Sequence, residues 1–136
     1  MIHRELSIGK WAVEFYFAVD GYDTTTILDR MYTFGANASA LKEALALMDE
    51  QKCNTGFTFA NPEEHLVIIA IGPTTDSSEF INTLVHELHH LAVVIANSLG
   101  VDLEEETPAY IAGDAARDLA EVICSLGCHR CHSTER

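Results

Sequence analysis

The longest regular pattern of apolar residues in the chain begins at Phe80 and ends at Leu99. Apolar side chains recur there at intervals of three and four, the spacing of an amphipathic helix, at Phe80, Ile81, Leu84, Val85, Leu88, Leu91, Ala92, Ile95 and Leu99. Asp76, with Glu79 three residues later, predicts the start of this helix because the pair resembles a capping box. Gly100 predicts its end. We therefore expect one long helix that buries a single apolar stripe.

Apolar residues at every second position predict β-structure in the first half of the chain. Trp11, Val13, Phe15, Phe17 and Val19 alternate with other residues, which is typical of a strand with one buried face. Residues 24–32 follow a turn signal and are rich in β-branched side chains. We therefore expect a second strand there that pairs back on the first.

Further segments complete the predicted sheet. Residues 37–50 have helical spacing, and Asn37 is placed to cap the first turn. Residues 57–60 and 66–71 flank an Asn-Pro turn signal and predict a hairpin. The second strand is apolar on both faces and belongs inside the sheet. Residues 57–60 are therefore the expected edge strand, and the alternative that the N-terminal strands cover this edge stays open.

The last predicted element is a helix over about residues 105–126. Its small-residue face for close packing is expected to consist of Ala109, Ala112, Ala116, Leu119 and Ile123. No repeat, linker or second domain is visible, so we expect one α+β domain over residues 1–136 with a small mixed sheet. Whether the tail, about residues 127–136, is irregular is left open.

Composition and charge narrow the classes of partner. The net charge of −13 argues against nucleic-acid and anionic-membrane surfaces and favours solubility, although it also attracts basic peptides. The N-terminus lacks the apolar segment of a signal peptide, and no stretch reaches the roughly 18 apolar residues of a membrane span. Three of the four cysteines crowd near the C-terminus, unlike the framework of a secreted mini-protein. These features predict a cytoplasmic protein with reduced thiols. The sequence does not indicate the oligomeric state.

The chemistry-bearing motif lies in the middle of the long helix, where the sequence His86-Glu87-Leu88-His89-His90 contains H-E-x-x-H. Residues four apart lie one turn above each other, so the imidazoles of His86 and His90 can converge on one metal ion. Glu87 faces the same cavity, where it can deprotonate a water at the metal. His89 lies about 100° around the helix from His90 and is expected to be a neighbour rather than a ligand. The motif therefore predicts zinc with two protein ligands and a general base.

Catalytic zinc usually has three protein ligands and one water, so a third ligand is needed from elsewhere in the fold. Glu106 is favoured because it opens the final helix, whose register Pro108 fixes. Glu104 and Glu105 remain alternatives, and the acidic run is also explained as a first turn that complements the helix dipole. Tyr110 lies one turn beyond Glu106, where its side chain either donates to a developing oxyanion or packs in the core.

The motifs together resemble the zincin metallopeptidases, specifically the gluzincin branch, in which a glutamate on a following helix completes the zinc site. The similarity is greatest to short metallopeptidases of phages and mobile elements, which carry an N-G-x-T hairpin, an E-F-x-N-T-x-x-H-E-x-x-H helix and a downstream E-x-x-A-Y. In this chain the helix motif is residues 79–90 and the downstream motif is residues 106–110. The hairpin motif corresponds to residues 54–58, which are one residue longer than N-G-x-T. The resemblance covers roughly residues 54–117.

The resemblance implies a zincin-like fold in which a small mixed sheet packs on the active-site helix and the following C-terminal helix. It implies Zn2+ as cofactor and a peptide or protein substrate, bound along an edge strand of the preceding hairpin. Many gluzincins have an aspartate four residues after the ligand glutamate, where this chain has Tyr110, so the residue that orients a ligand histidine is uncertain, with Asn82 and Asp114 as weak candidates. The metzincin pattern is excluded because Val93 and Ala96 replace its glycine and third histidine.

The C-terminal sequence Cys128-His129-Arg130-Cys131-His132 spells C-x-x-C-H, which is nominally a haem-attachment motif. Haem is rejected because attachment belongs to exported proteins. A second zinc ion on Cys124, Cys128, Cys131 and His132 has suitable ligand chemistry, and it competes with the interpretation of Cys124 and Cys128 as helix-end residues.

Two functions from different classes fit these observations. The favoured one is a zinc-dependent peptidase, in which His86, His90 and Glu106 hold zinc and Glu87 is the general base. The alternative is a non-catalytic interaction protein of a phage or mobile element, in which zinc holds two helices together. A site of that kind is closed to water, whereas an enzyme keeps one coordination position open.

Overall fold

The structure is a computed structural model that describes residues 1–21, 23–49 and 53–127. These residues fall into two compact units, of which the first comprises Met1–Pro73 and the second begins at Thr74. Among the described residues, the first unit contains four strands and two helices, and the second contains three helices. The α+β class is therefore confirmed, while the single domain over residues 1–136 stays a prediction.

The first unit is built on a mixed sheet with the strand order β1-β2-β4-β3. Antiparallel pairs are formed by β1 (Ile2–Ile8) with β2 (Trp11–Phe17) and by β3 (Gly56–Asn61) with β4 (Leu66–Ile71). β2 and β4 run parallel in the centre. β4 is buried along its whole length and β3 lies at the edge, so both expectations for this hairpin are confirmed. The N-terminal strands pair on the opposite side of β4 from β3.

The two N-terminal strands differ from the sequence expectation in two ways. No strand is predicted for residues 2–8, yet β1 pairs with β2 from Ile2↔Phe17 to Ile8↔Trp11. Charged residues in the middle of β1 obscure its alternation, and they are tolerated because β1 is an edge strand. The expectation that β2 buries only one face is wrong, because Glu14 and Tyr16 are buried together with the apolar positions.

The predicted strand over residues 24–32 is also wrong, because this segment forms helix α1 (Thr24–Thr33). Its buried residues are Thr24, Ile27 and Met31, which are spaced by three and four. Burial of this helical face outweighs the β-preference of the run of threonines, since propensity is a weak prior beside tertiary packing.

Helix α2 (Ala38–Asp49) agrees with the prediction for this region. The Asn37 side chain caps the helix, because its Oδ1 accepts a hydrogen bond of 2.8 Å from the Ala40 amide. Ala44 and Met48 of α2 join Ile27 and Met31 of α1 in one apolar cluster with β2 and β4. Phe57 and Phe59 of β3 pack against this cluster and remain partly exposed.

A polar network lies inside the first unit around Glu14 of β2. The Tyr16 hydroxyl donates a 2.7 Å hydrogen bond to Glu14, and Arg30 of α1 donates from both Nε and Nη2 to the two carboxylate oxygens. Burial raises the pKa of Glu14, but the hydrogen bonds from Arg30 and Tyr16, with the charges of Arg30 and His3, outweigh it and lower the pKa. Burial and the Glu14 carboxylate raise the pKa of Tyr16. Glu14 is therefore held as a carboxylate.

The second unit begins with the predicted long helix, α3 (Ser77–Ser98). Asp76 caps it, accepting a hydrogen bond of 2.8 Å from the Glu79 amide, and this bond and that from the Ser78 hydroxyl lower the pKa of Asp76. At the other end, Gly100 has φ of +70°, and the Gly100 and Val101 amides donate to the Asn97 and Ala96 carbonyls. This is the pattern of a Schellman motif, so both predicted helix ends are confirmed.

The buried stripe of α3 is narrower than expected. Phe80, Leu84, Leu88, Leu91, Ala92 and Ile95 are buried as predicted. Ile81, Val85 and Leu99 are exposed, and their assignment to the stripe is wrong. Ile81 and Val85 each follow a buried residue directly, so they lie about 100° around the helix from it. They therefore lie at one margin of the buried face, about 100–180° around the helix from His86 and His90.

The predicted single last helix is interrupted. It forms α4 (Glu106–Asp118) and α5 (Ala120–Gly127), with the buried Leu119 between them in a non-helical conformation. Neither glycine nor proline marks this position, so the sequence carries no local signal for the break. Of the predicted small-residue face, Leu119 is buried as expected, Ala112, Ala116 and Ile123 are half-buried, and the assignment of Ala109 is wrong because it is exposed. Among the described residues of these helices, Ile111, Ala115 and Val122 are also buried. Both helices pack against α3. None of the helices described is long and apolar enough to cross a membrane.

Candidate metal centre

The centre of α3 brings two imidazoles together. His86 and His90 are one helical turn apart, and their Nε2 atoms are 3.1 Å from each other. The rings meet nearly edge to face, with centroids 4.8 Å apart. Two nitrogens that share one tetrahedral zinc ion at 2.0–2.1 Å lie about 3.3 Å apart. The two Nε2 atoms therefore already have nearly the separation that a common zinc ion requires, and no rearrangement of the backbone is needed.

The histidine pair is open to solvent. The His86 side chain is 68% exposed, and His90 is also exposed. His89 lies beside the pair, with its ring centroid 6.1 Å from that of His90 and the two ring planes inclined at 55°. His89 is therefore a neighbour of the pair, as the helical geometry predicts.

Glu87 lies next to the pair and has the opposite environment. Its side chain is only 4% exposed, and its Oε2 is 4.0 Å from Nε2 of His86. The sequence indicates a carboxylate beside the apolar stripe, and the structure places Glu87 within the buried face of α3. A carboxylate beside a solvent-accessible metal position can accept a proton from a water that enters from the open side.

The second predicted part of the site lies on α4. Glu106 is the first residue of that helix and is exposed, as are Glu104 and Glu105. Glu106 also provides the acidic first turn that favours the positive end of the helix dipole. In residues 1–21, 23–49 and 53–127, no three His, Cys, Asp or Glu side chains form a group that could hold one metal ion. The structure thus brings His86 and His90 together, and the assignment of Glu106 as third ligand stays a prediction.

Tyr110 follows Glu106 by one turn of α4 and is 66% exposed. The alternative that this tyrosine packs in the core is therefore excluded. Its spacing of four from Glu106 places both residues on the same flank of the helix. Its role toward an oxyanion stays a prediction.

The structure reveals neighbours of the motif that the sequence interpretation does not identify. Thr83 is buried one turn before Glu87, on the same face of α3. Val85 is exposed immediately before His86, and Ile81 is exposed one turn earlier. The burial of Thr83 and the exposure of Ile81 and Val85 follow the helical repeat. Residues 83, 84, 87 and 88 are buried, and residues 81, 82, 85 and 86 are exposed.

The suggested second zinc site falls mostly outside the described residues. Cys124 is a half-buried free cysteine of α5. Cys128, Cys131 and His132 lie beyond the part of the chain that the structure describes. This site stays a prediction.

Comparison of the chain with protein families, with curated proteins and with solved structures gave no match. The evidence for a metal centre is therefore the spacing and geometry of the chain's own residues. Two convergent imidazoles beside a buried carboxylate supply two of the three protein ligands that a catalytic zinc ion usually has.

Proposed function

We propose that this protein is a zinc-dependent hydrolase that cleaves peptide bonds. The observation that supports the proposal most strongly is the 3.1 Å separation of the His86 and His90 Nε2 atoms beside the buried Glu87. The proposed ligands are these two histidines and Glu106, with Glu87 as general base. The phage or mobile-element metallopeptidase resemblance of residues 54–117 supports the same assignment.

Each residue has a distinct task in this proposal. His86 and His90 keep their Nε2 atoms directed at one point, because both are fixed on one rigid helix. Glu87 accepts a proton from the attacking water and later passes it to the leaving amine. A zinc ion held by these ligands would act as a Lewis acid toward the substrate carbonyl and lower the pKa of its coordinated water. Tyr110 would donate a hydrogen bond to the oxygen of the substrate carbonyl as negative charge develops there.

The exposure of the histidine pair favours an enzyme over the non-catalytic alternative. A structural zinc ion that holds two helices together is enclosed by four protein ligands. Here the His86 side chain is largely exposed, so water and substrate have access to the side of the pair that faces solvent.

The test is to measure zinc content and peptide hydrolysis in the same purified samples. We expect the wild-type protein to bind one equivalent of zinc tightly and to cleave members of a broad peptide library. His86→Ala and His90→Ala should each lose the zinc and the activity. His89→Ala is the matched control, since it removes an exposed histidine of the same helix and should keep both properties.

Glu104→Ala, Glu105→Ala and Glu106→Ala then identify the third ligand, with the largest loss of zinc affinity expected for Glu106→Ala. Tight zinc binding that survives both His86→Ala and His90→Ala would refute the site. Zinc binding that depends on the two histidines, without cleavage of any peptide, would instead favour the interaction protein.

A further inference from the structure

The first unit contains a groove between helix α2 and the edge strand β3. Its volume is about 430 Å³, within the range of pockets that bind small molecules. The principal lining side chains are Met31, Ala40, Glu43, Ala44, Phe57 and Phe59. All of them belong to the first unit, so the groove is independent of the proposed zinc site.

The sequence explains why this space is not filled. α2 presents alanines at positions 40 and 44 toward β3, and alanine leaves open the volume that a leucine would occupy. Phe57 and Phe59 alternate in β3 and therefore lie on the same face of the sheet, where they form an aromatic wall. Met31 is buried at this groove, and methionine adapts its shape readily to a ligand.

The charge of the groove selects one class of ligand. Among the residues that the structure describes, Glu43 is the one ionisable residue lining the groove, and its carboxylate is exposed, so it can meet an incoming charge. The faces of phenylalanine rings attract cations, because the ring quadrupole is negative there. The net charge of −13 adds a long-range attraction for cations and repels a second copy of this chain. Aromatic faces and a carboxylate around an apolar floor are the features that recognise an organic ammonium ion.

We propose that the groove between α2 and β3 binds a small organic cation, an ammonium group carried on a short apolar chain. The chain lies against the alanines of α2 and Met31, and the ammonium group contacts the Glu43 carboxylate and a phenylalanine face. This site is separate from the proposed hydrolase chemistry and holds whether or not the protein cleaves peptides.

Three probes with the same carbon chain test the proposal: hexylammonium, hexanol and hexanoate. Binding to the full-length protein is measured by titration in ¹H–¹⁵N NMR spectra, which also show whether the perturbed amides belong to α2 and β3. For ligands of this size we expect dissociation constants of about millimolar. Hexylammonium should bind tightest, hexanol more weakly and hexanoate weakest.

Variants separate the charge of the groove from its shape. Glu43→Gln should weaken hexylammonium binding by roughly threefold to fivefold, the effect of one exposed ion pair, and should leave hexanol unchanged. Glu63→Gln, in the exposed turn between β3 and β4, is the control for the overall charge. Ala46→Leu narrows the groove and should weaken both probes, whereas Ala38→Leu, an exposed site of α2 outside the groove, should weaken neither.

Several results would overturn the proposal. Binding of hexanol or hexanoate as tight as that of hexylammonium would show that the groove does not recognise the charge. An equal loss of hexylammonium binding in the Glu63→Gln and Glu43→Gln proteins would show the same. Equal binding by the Ala46→Leu protein would place the ligand elsewhere. A capped Leu-Lys-Leu peptide that binds more tightly than hexylammonium through the same groove would replace the small cation with a protein segment as the occupant. Absence of perturbation by any probe would eliminate the site.

Discussion

The two buried glutamates in the part of the chain that the structure describes lie in opposite chemical settings. Glu14, in the sheet of the first unit, is bound by a guanidinium from Arg30 and by the Tyr16 hydroxyl. Glu87, in the helical unit, lies 4.0 Å from the imidazole of His86, which is itself largely exposed. Burial is nearly the same for both carboxylates, so burial alone does not distinguish a structural acid from a candidate catalytic one.

The difference lies in the partner. Arginine stays protonated at every pH that the protein would meet, and its fork matches both carboxylate oxygens, so Glu14 is fixed in one charge state. A histidine can be neutral and give its lone pair to a metal, so the carboxylate beside it is available for proton transfer next to that metal. Glu14 is therefore expected to contribute to stability, and Glu87 to turnover.

The largest expected effect is on catalysis. Glu87→Gln keeps the shape of the side chain and removes the base, so peptide hydrolysis should fall by roughly a hundredfold or more while zinc stays bound. Turnover is measured under saturating substrate, together with zinc content and thermal unfolding. Glu79→Gln, half-buried in the first turn of α3, is the matched control and should keep full activity. A Glu87→Gln enzyme that retains the wild-type rate would transfer the role of base to another group.

The next effect concerns the other carboxylate. Arg30→Met should lower the free energy of unfolding by about 1–3 kcal/mol, because it leaves the buried Glu14 without its cation. The upper end of the range for buried pairs is not expected, since the Arg30 side chain is 40% exposed and its charge is partly screened. Denaturant unfolding measures the change, with Arg4→Met on the exposed strand β1 as control. Restored stability in the double variant Glu14→Gln/Arg30→Met would identify the orphaned charge as the cause, and an additive loss would contradict that explanation.

The neighbours of Glu87 can be predicted from the sequence, whereas those of Glu14 cannot. His86, Glu87 and His90 lie within five residues of one helix, so the helical period alone predicts their convergence, and the 3.1 Å distance agrees. The Glu14–Arg30 pair spans sixteen residues and two elements. The sequence interpretation assigns residues 24–32 to a strand, whereas Arg30 lies on helix α1. The ion pair between Glu14 and Arg30 is therefore not predicted. The apolar periodicity of β2 and α3 and the continuous apolar run of β4 suffice to predict these elements. Helix α1 depends on burial against the rest of the unit, which propensity does not encode.

The third ligand of the proposed zinc site could not be identified from the sequence either, because it lies on a different element from the two histidines. Glu104, Glu105 and Glu106 precede or begin α4, and their approach to α3 depends on how two separate helices pack. The spacing of residues in the sequence predicts which side chains meet within one helix. It does not predict which side chains meet between two helices. The break at Leu119 is a further example, since it has no glycine or proline to announce it.

A smaller effect is expected from the tyrosine that completes the Glu14 network. Tyr16→Phe removes one hydrogen bond to a buried carboxylate and should cost about 1–2 kcal/mol of unfolding free energy. Tyr32→Phe is the control, because Tyr32 is largely exposed and should change stability very little. Both are measured by denaturant unfolding at neutral pH. Equal losses in the two variants would show that the Tyr16 hydroxyl contributes nothing specific to Glu14.

The smallest expected effect is a change in the slope of stability against pH. The pKa of Glu14 is lower in the folded protein than its ordinary value of 4.5, so the unfolded chain binds the proton more tightly. The stabilisation is therefore fully present above pH 4.5 and is lost as the pH falls through the folded-state pKa. His3, stacked on Tyr16 with ring centroids 4.6 Å apart, contributes to the lowering. His3→Gln separates its contribution.

The measurement is urea unfolding of the wild-type and Arg30→Met proteins at pH values from neutral to below the ordinary pKa of a glutamate. Asp76, whose pKa is also lowered, loses its contribution in acid in both proteins, so the difference between the two curves isolates Glu14. We expect the curves to converge as the pH falls, because protonation of Glu14 removes the charge that Arg30 stabilises. Parallel curves for wild-type and Arg30→Met would show that the Glu14 charge state does not differ between them, and would remove the basis for contrasting the two glutamates.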